Sequence, residues 1–134
     1  MVEEGAGEQL ARVSLALTGI IFGAFGAIFL VYPEFLELTG VVLETASSRA
    51  EVRGFYGGME IGLGAFFLLA SRRSAWFRPA LVAQVGAFAG MALGRLIGVA
   101  LEGGVEGGLI WALMGAESVG AVVGILALIK LGRG

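Results

Sequence analysis

Three charged residues, Glu60, Arg95 and Glu117, each interrupt an apolar run otherwise long enough to cross a membrane. An ionised group in hydrocarbon costs several kcal/mol or more, so such residues face a bundle interior, pair with one another or line a pathway. The runs follow in order. The first, 13–32, holds twenty residues without a charge, between Arg12 and Pro33-Glu34. The second, 54–71, is broken only by Glu60, and the third, 79–101, only by Arg95. The fourth, 109–129, is broken only by Glu117 and closed by Lys130. About 20 apolar residues in a helix cross about 30 Å of hydrocarbon. The expectation is an all-α integral membrane four-helix bundle forming one domain over residues 1–134. The first run is read as a span and not a cleaved signal, because its leading segment is acidic and no small-x-small site follows it.

Loop charges set the expected orientation. Arg72, Arg73 and Arg78 lie in one short connection without an acid, which the positive-inside rule places in the cytoplasm. Both termini then also lie in the cytoplasm. The connection 102–108 carries Glu102 and Glu106 and falls outside, as does 33–53, with four Glu against two Arg. Residues 34–48 have enough apolar positions to lie along the outer interface as a short helix, and a partly ordered connector is the equal alternative.

On that topology Glu60, Arg95 and Glu117 lie at one level, about 9–12 Å below the outer edge of the apolar zone at 1.5 Å per residue. Arg53 precedes Glu60 by seven residues, which in an α-helix puts it on nearly the same face, two turns higher. Two Glu and two Arg on three helices then compose a neutral network open to the outer side, with Tyr56 beside it. Structural glue, a ligand site and a proton relay are all compatible with that network.

Glycine, 24 of 134 residues, speaks to helix packing. Gly86, Gly90, Gly94 and Gly98 form a ladder at every fourth position, and Gly19-Gly23, Gly58-Gly62 and Gly120-Gly124 make shorter pairs. Small residues let backbones approach closely in lipid, so the ladder is expected to pack within the bundle, with a homo-oligomer interface as the alternative. Gly26 lies outside any ladder, so a larger side chain there is expected to be milder than one at Gly90. Gly58-Met59-Glu60 and Gly115-Ala116-Glu117 share a Gly-x-Glu pattern at matching depth, compatible with a parallel duplication of two hairpins.

The chain has no Cys and no His, so thiolate chemistry, imidazole ligation and Ser-His or Cys-His catalysis have no residues to use. No phosphate-binding loop, dinucleotide fingerprint or metal-ligand spacing is present, and no basic cluster with interleaved aromatics points to nucleic acid. No cofactor, metal or catalytic residue is expected.

Glu51-x-Arg53-x-x-Tyr56-Gly57-Gly58, then Gly94-Arg95-Leu96, Glu102-Gly103-Gly104 and Glu117 together resemble a family of small bacterial membrane proteins, domain of unknown function 4345, grouped with the DoxX-like four-helix proteins. The resemblance runs from about Arg12 to Leu128. Its usual acidic-Gly-x-Pro turn after the third helix is replaced here by Val105-Glu106. The family implies a four-helix membrane fold and no established activity. The expected role is therefore non-enzymatic: accessory, assembly or structural, in the bacterial inner (plasma) membrane, with lipid and a membrane-protein partner or a second copy as company. The alternative is binding or transport of a small anionic or lipid-like ligand, or proton-coupled transport, at Glu60, Arg95, Glu117, Arg53 and Tyr56.

Overall fold

The structure, a computed structural model, describes residues 5–132. Every regular element among them is helical: α1 (Ala6–Val31), α2 (Ala46–Val52), α3 (Met59–Ala70), α4 (Phe77–Glu102) and α5 (Leu109–Leu131), with 3-10 turns at Pro33–Thr39 and Ser74–Trp76. Two compact units share the chain. One is contiguous, Ala16–Leu69; the other takes the chain up to Leu15 and from Ala70 onward.

In the contiguous unit α1 and α3 meet backbone to backbone. A Cβ on Gly26 would lie 2.7 Å from the Ile61 nitrogen and 2.8 Å from the Gly57 carbonyl oxygen, and one on Gly64 would lie 2.7 Å from the Gly23 nitrogen. Gly19 is as confined, against Leu68 and Gly64, and Gly57 less so, with the Leu30 nitrogen 3.0 Å from its Cβ position. Only glycine fits such an approach, which is what lipid-embedded helices use in place of a hydrophobic drive. Phe22 and Phe67 fill the interface lower down, with ring centroids 5.8 Å apart.

Above this contact the chain builds a small cap. Pro33 opens a 3-10 turn that closes at Gly40, whose φ of 90° suits glycine. Phe29, Leu36, Leu43 and Val52 form its core. Glu37 accepts the Leu43 N–H at 3.1 Å, Arg49 donates to the Leu43 carbonyl at 3.2 Å, and Thr45 caps α2 in a reciprocal bond with Ser48. The segment 34–48, expected as a short helix or a connector, holds both: a short 3-10 helix, Pro33–Thr39, and then a loop leading into α2.

Between α2 and α3, residues Arg53–Gly58 form a π turn, in which Met59 N–H reaches back to the Gly54 carbonyl. The three helical pieces run without a gap from Ala46 to Ala70. In an uninterrupted α-helix Val52 and Gly57 would point about 140° apart; the extra residue of a π turn reduces this to about 40°. One side of the rod can then bury Val52 in the cap and press Gly57 against Leu30. The same insertion corrects the expected alignment of Arg53 with Glu60, turning them about 120° apart instead of about 20°.

The other unit joins the start of α1 to α4 and α5. The first helix begins at Ala6 and not Val13, because Arg12 does not end it. Arg12 donates to the Ser71 carbonyl at 3.0 Å and lies over the Phe77 ring, so its charge is accommodated inside a helix. Phe77, Ala80, Leu81, Gln84 and Phe88 form the buried face of α4. Opposite them on α5 lie Glu117, Ala121, Gly124 and Ala127, with Gly120 against Phe88 and Gly124 against Val85. Gly103 (φ 73°) ends α4, and Gly104 N–H bonds to the Val99 carbonyl at 3.0 Å, a glycine stop made without a proline.

The expected span count is met in part. Four spans were expected; among the described residues three helical stretches are long and apolar enough to cross a membrane, Ala6–Val31, Ser74–Glu102 and Leu109–Leu131. The expected span 54–71 is interrupted at its start by the π turn, leaving α3 with 12 residues. The glycine ladder is also corrected. A Cβ on Gly86, Gly90, Gly94 or Gly98 would meet nothing within 4 Å, whereas Gly26, expected to be the milder site, is among the tightest positions.

Candidate functional site

Arg95 and Glu117 meet. Glu117 follows the start of α5 by two turns and shares a face with Gly120, Ala121 and Gly124, all directed at α4. Arg95 lies eleven residues after Gln84, close to three full turns, hence on the face of α4 that looks back at α5. Arg95 Nη1 donates to Glu117 Oε1 at 2.8 Å, a charge-assisted bond between two membrane-length helices. The carboxyl is 9% exposed and the guanidinium side chain 30% exposed.

The pair is end-on. One carboxyl oxygen is used; Glu117 Oε2 is buried with no hydrogen-bond partner among the described residues. The neighbouring Ser118 is turned onto its own helix, donating to the Met114 carbonyl at 2.7 Å. A buried charge pair of this kind offers modest net stability but a large penalty if one partner is lost, so it fixes register between helices. It also leaves Arg95, whose side chain is 30% exposed, with guanidinium N–H groups that Glu117 does not take up.

The other expected site residues belong to the contiguous unit. Glu60 lies at the start of α3, in the contiguous unit, and its Oε2 is also buried without a hydrogen-bond partner. Arg53 donates from Nε to the Leu30 carbonyl at 3.0 Å, closing the end of α1. Tyr56 packs its ring on Phe29, centroids 5.5 Å apart, and on Phe55. Among the described residues no three carboxylates gather as a metal site would require.

A polar feature absent from the sequence expectations lies in the same unit as Arg95. Gln84 is 1% exposed; its Nε2 donates to Ser14 Oγ at 2.8 Å and to the Gly120 carbonyl at 3.2 Å. Ser14 also lies within bonding distance of Gln84 Oε1, at 3.1 Å. This knot ties α1, α4 and α5 together without a charge. A glutamine inside an apolar run was the available signal, since an amide in a dry interior must be paired.

An all-helical chain with membrane-length apolar helices, two of them joined by a buried ion pair, has the makings of a small helical membrane protein. Residues 10–128 match the family described as Domain of unknown function (DUF4345), and the chain belongs to that family. Neither the curated proteins nor the solved structures include a significant match to it.

Proposed function

We propose that this chain is a multi-pass protein of the bacterial inner membrane with a non-enzymatic accessory, assembly or structural role. The supporting observation is the 2.8 Å Arg95–Glu117 bond between α4 and α5, with its carboxyl 9% exposed. Such a pair sets which turns of two helices face each other, and the neutral Gln84 knot adds a second fixed point on the same helices. In this reading the rod from Ala46 to Ala70 supplies the fourth crossing. Both termini lie in the cytoplasm with Arg72, Arg73 and Arg78, while the turn carrying Glu102 and Glu106 lies outside.

The alternative, binding or transport of a small anionic or lipid-like ligand, draws support from the N–H groups of Arg95 that Glu117 does not take up, on a side chain that is 30% exposed. Purification from native membranes in mild detergent separates the two. A partner protein retained at fixed stoichiometry supports the assembly role; a lone chain that retains a small anionic molecule supports the ligand role. The neutral double variant Arg95→Leu, Glu117→Leu sharpens the distinction. A structural pair predicts a stable protein with its cellular function kept, and a ligand site predicts a stable protein with that function lost.

A further inference from the structure

The sequence motif Arg53-x-x-Tyr56-Gly57-Gly58 is the π turn itself, and the Arg95–Glu117 pair does not use it. π turns inside α-helices are rare and occur frequently at functional sites. Here the turn has a specific consequence. It rotates Arg53 away from the face of Glu60 and brings its Nε to the last turn of α1, where it bonds to the Leu30 carbonyl at 3.0 Å. That bond anchors the guanidinium by one nitrogen and leaves both Nη groups available. Arg53 is exposed and makes no ion pair among the described residues. The nearby cap has spent its other arginine, since Arg49 is taken up by the Leu43 carbonyl and Glu34.

The π turn also presents two aromatic rings. Phe55 is 56% exposed and Tyr56 37% exposed, their centroids 5.7 Å apart, and Tyr56 is backed by Phe29. The adjoining end of α1 shows Leu30 and Val31, 44% and 79% exposed. A fixed cation fork beside exposed aromatic and aliphatic surface, where an apolar run gives way to a polar cap, matches a molecule with an oxyanion head and an apolar body. A phosphodiester is the oxyanion that a bilayer supplies at that level.

We propose that Arg53, with the rings of Phe55 and Tyr56, seats the phosphate headgroup of an anionic membrane lipid. The guanidinium Nη groups donate to the phosphate oxygens, and the rings lie along the glycerol and upper acyl segment. The proposal uses neither Arg95 nor Glu117 and stands whether that pair is structural or binds a ligand.

The test is native mass spectrometry of the full chain in detergent, titrated with phosphatidylglycerol or with diacylglycerol of the same acyl chains. The two differ only in the head. The expected preference for phosphatidylglycerol is roughly tenfold or more, the size of one charge-assisted hydrogen bond. Arg53→Gln abolishes the preference, Arg53→Lys keeps most of it because the charge remains, and Arg72→Gln keeps all of it. Arg53→Lys also loses the Nε bond to Leu30, so it separates charge from any effect on the fold. An unchanged preference in Arg53→Gln overturns the proposal, and so does equal loss in the Gln and Lys variants. Millimolar inorganic phosphate provides the last arm: displacement assigns the seat to the head alone, and failure to displace assigns it to head and chain together. The seat rests on the membrane reading, which alkaline washing of isolated membranes tests first. A chain that washes off defeats that reading; one that stays and shows no preference defeats only the seat.

Discussion

Replacing Gly26 by Ala puts a methyl carbon 2.7 Å from the Ile61 nitrogen and 2.8 Å from the Gly57 carbonyl oxygen, both backbone atoms. Ordinary contact begins near 3.4 Å, so α1 and α3 must part by about 0.7 Å along that direction, and no side chain can rotate to relieve it. Overpacking of this kind typically costs about 1–3 kcal/mol, and Gly26→Leu belongs at or above the upper end. The separation that admits one methyl also relieves its neighbours, because Gly19 and Gly64 lie on the same interface. Gly19→Ala added to Gly26→Ala should therefore cost less than the sum of the two, as expected for sites sharing one backbone shift. The control is Gly90→Ala on α4, where a Cβ meets nothing within 4 Å; its effect should stay within about 0.5 kcal/mol of neutral. The assay is reversible unfolding in mixed micelles, raising the fraction of denaturing detergent and following helix content. If Gly90→Leu proves as damaging as Gly26→Leu, the strip on α4 is covered in the native assembly and the assignment of close packing to α1 and α3 is incomplete.

Arg95→Leu strands the Glu117 carboxyl and should cost about 3–5 kcal/mol in the same assay, much of it recovered in Arg95→Leu, Glu117→Leu. Recovery failing entirely would show that the helices need the charges themselves. Gln84→Leu leaves the buried Ser14 hydroxyl and one acceptor contact at Gly120 unpaired, and should cost about 1–3 kcal/mol; a neutral result would mean that the knot contributes nothing. For topology, single cysteines at Ser74 and Glu106 should label oppositely with an impermeant thiol reagent in intact cells, Glu106→Cys reacting and Ser74→Cys protected. The reverse pattern overturns the orientation.

The apolar runs made α1, α4 and α5 legible because run length and charge boundaries report directly on membrane-length helices. Arg95 and Glu117 were legible for a related reason: a charge inside such a run stands out, and matching depth brought two of them together. Glycine spacing proved less informative. It marks a face on which helices can approach and carries nothing about which face does, so the regular ladder of α4 is open while isolated Gly26 is closed on. The π turn was invisible because residue counting assumes 100° per step, and a single inserted residue redirected Arg53. Gln84 was passed over because an uncharged amide does not interrupt a run defined by charge.

The first helix is also shared out in an order that synthesis must respect. From Ala16 onward it belongs to a contiguous unit whose every element has emerged by Leu69. Its opening turns wait far longer. A Cβ on Gly7 would lie 2.8 Å from the Lys130 carbonyl oxygen, across 130 − 7 = 123 residues of chain, or about 6–25 s of translation at about 5–20 residues per second. Arg12 waits for Ser71 and Ser14 for Gln84. A nascent chain halted before α5 therefore carries a closed contiguous unit, while the opening turns of α1 still lack the α5 backbone they pack against and become native last within that helix.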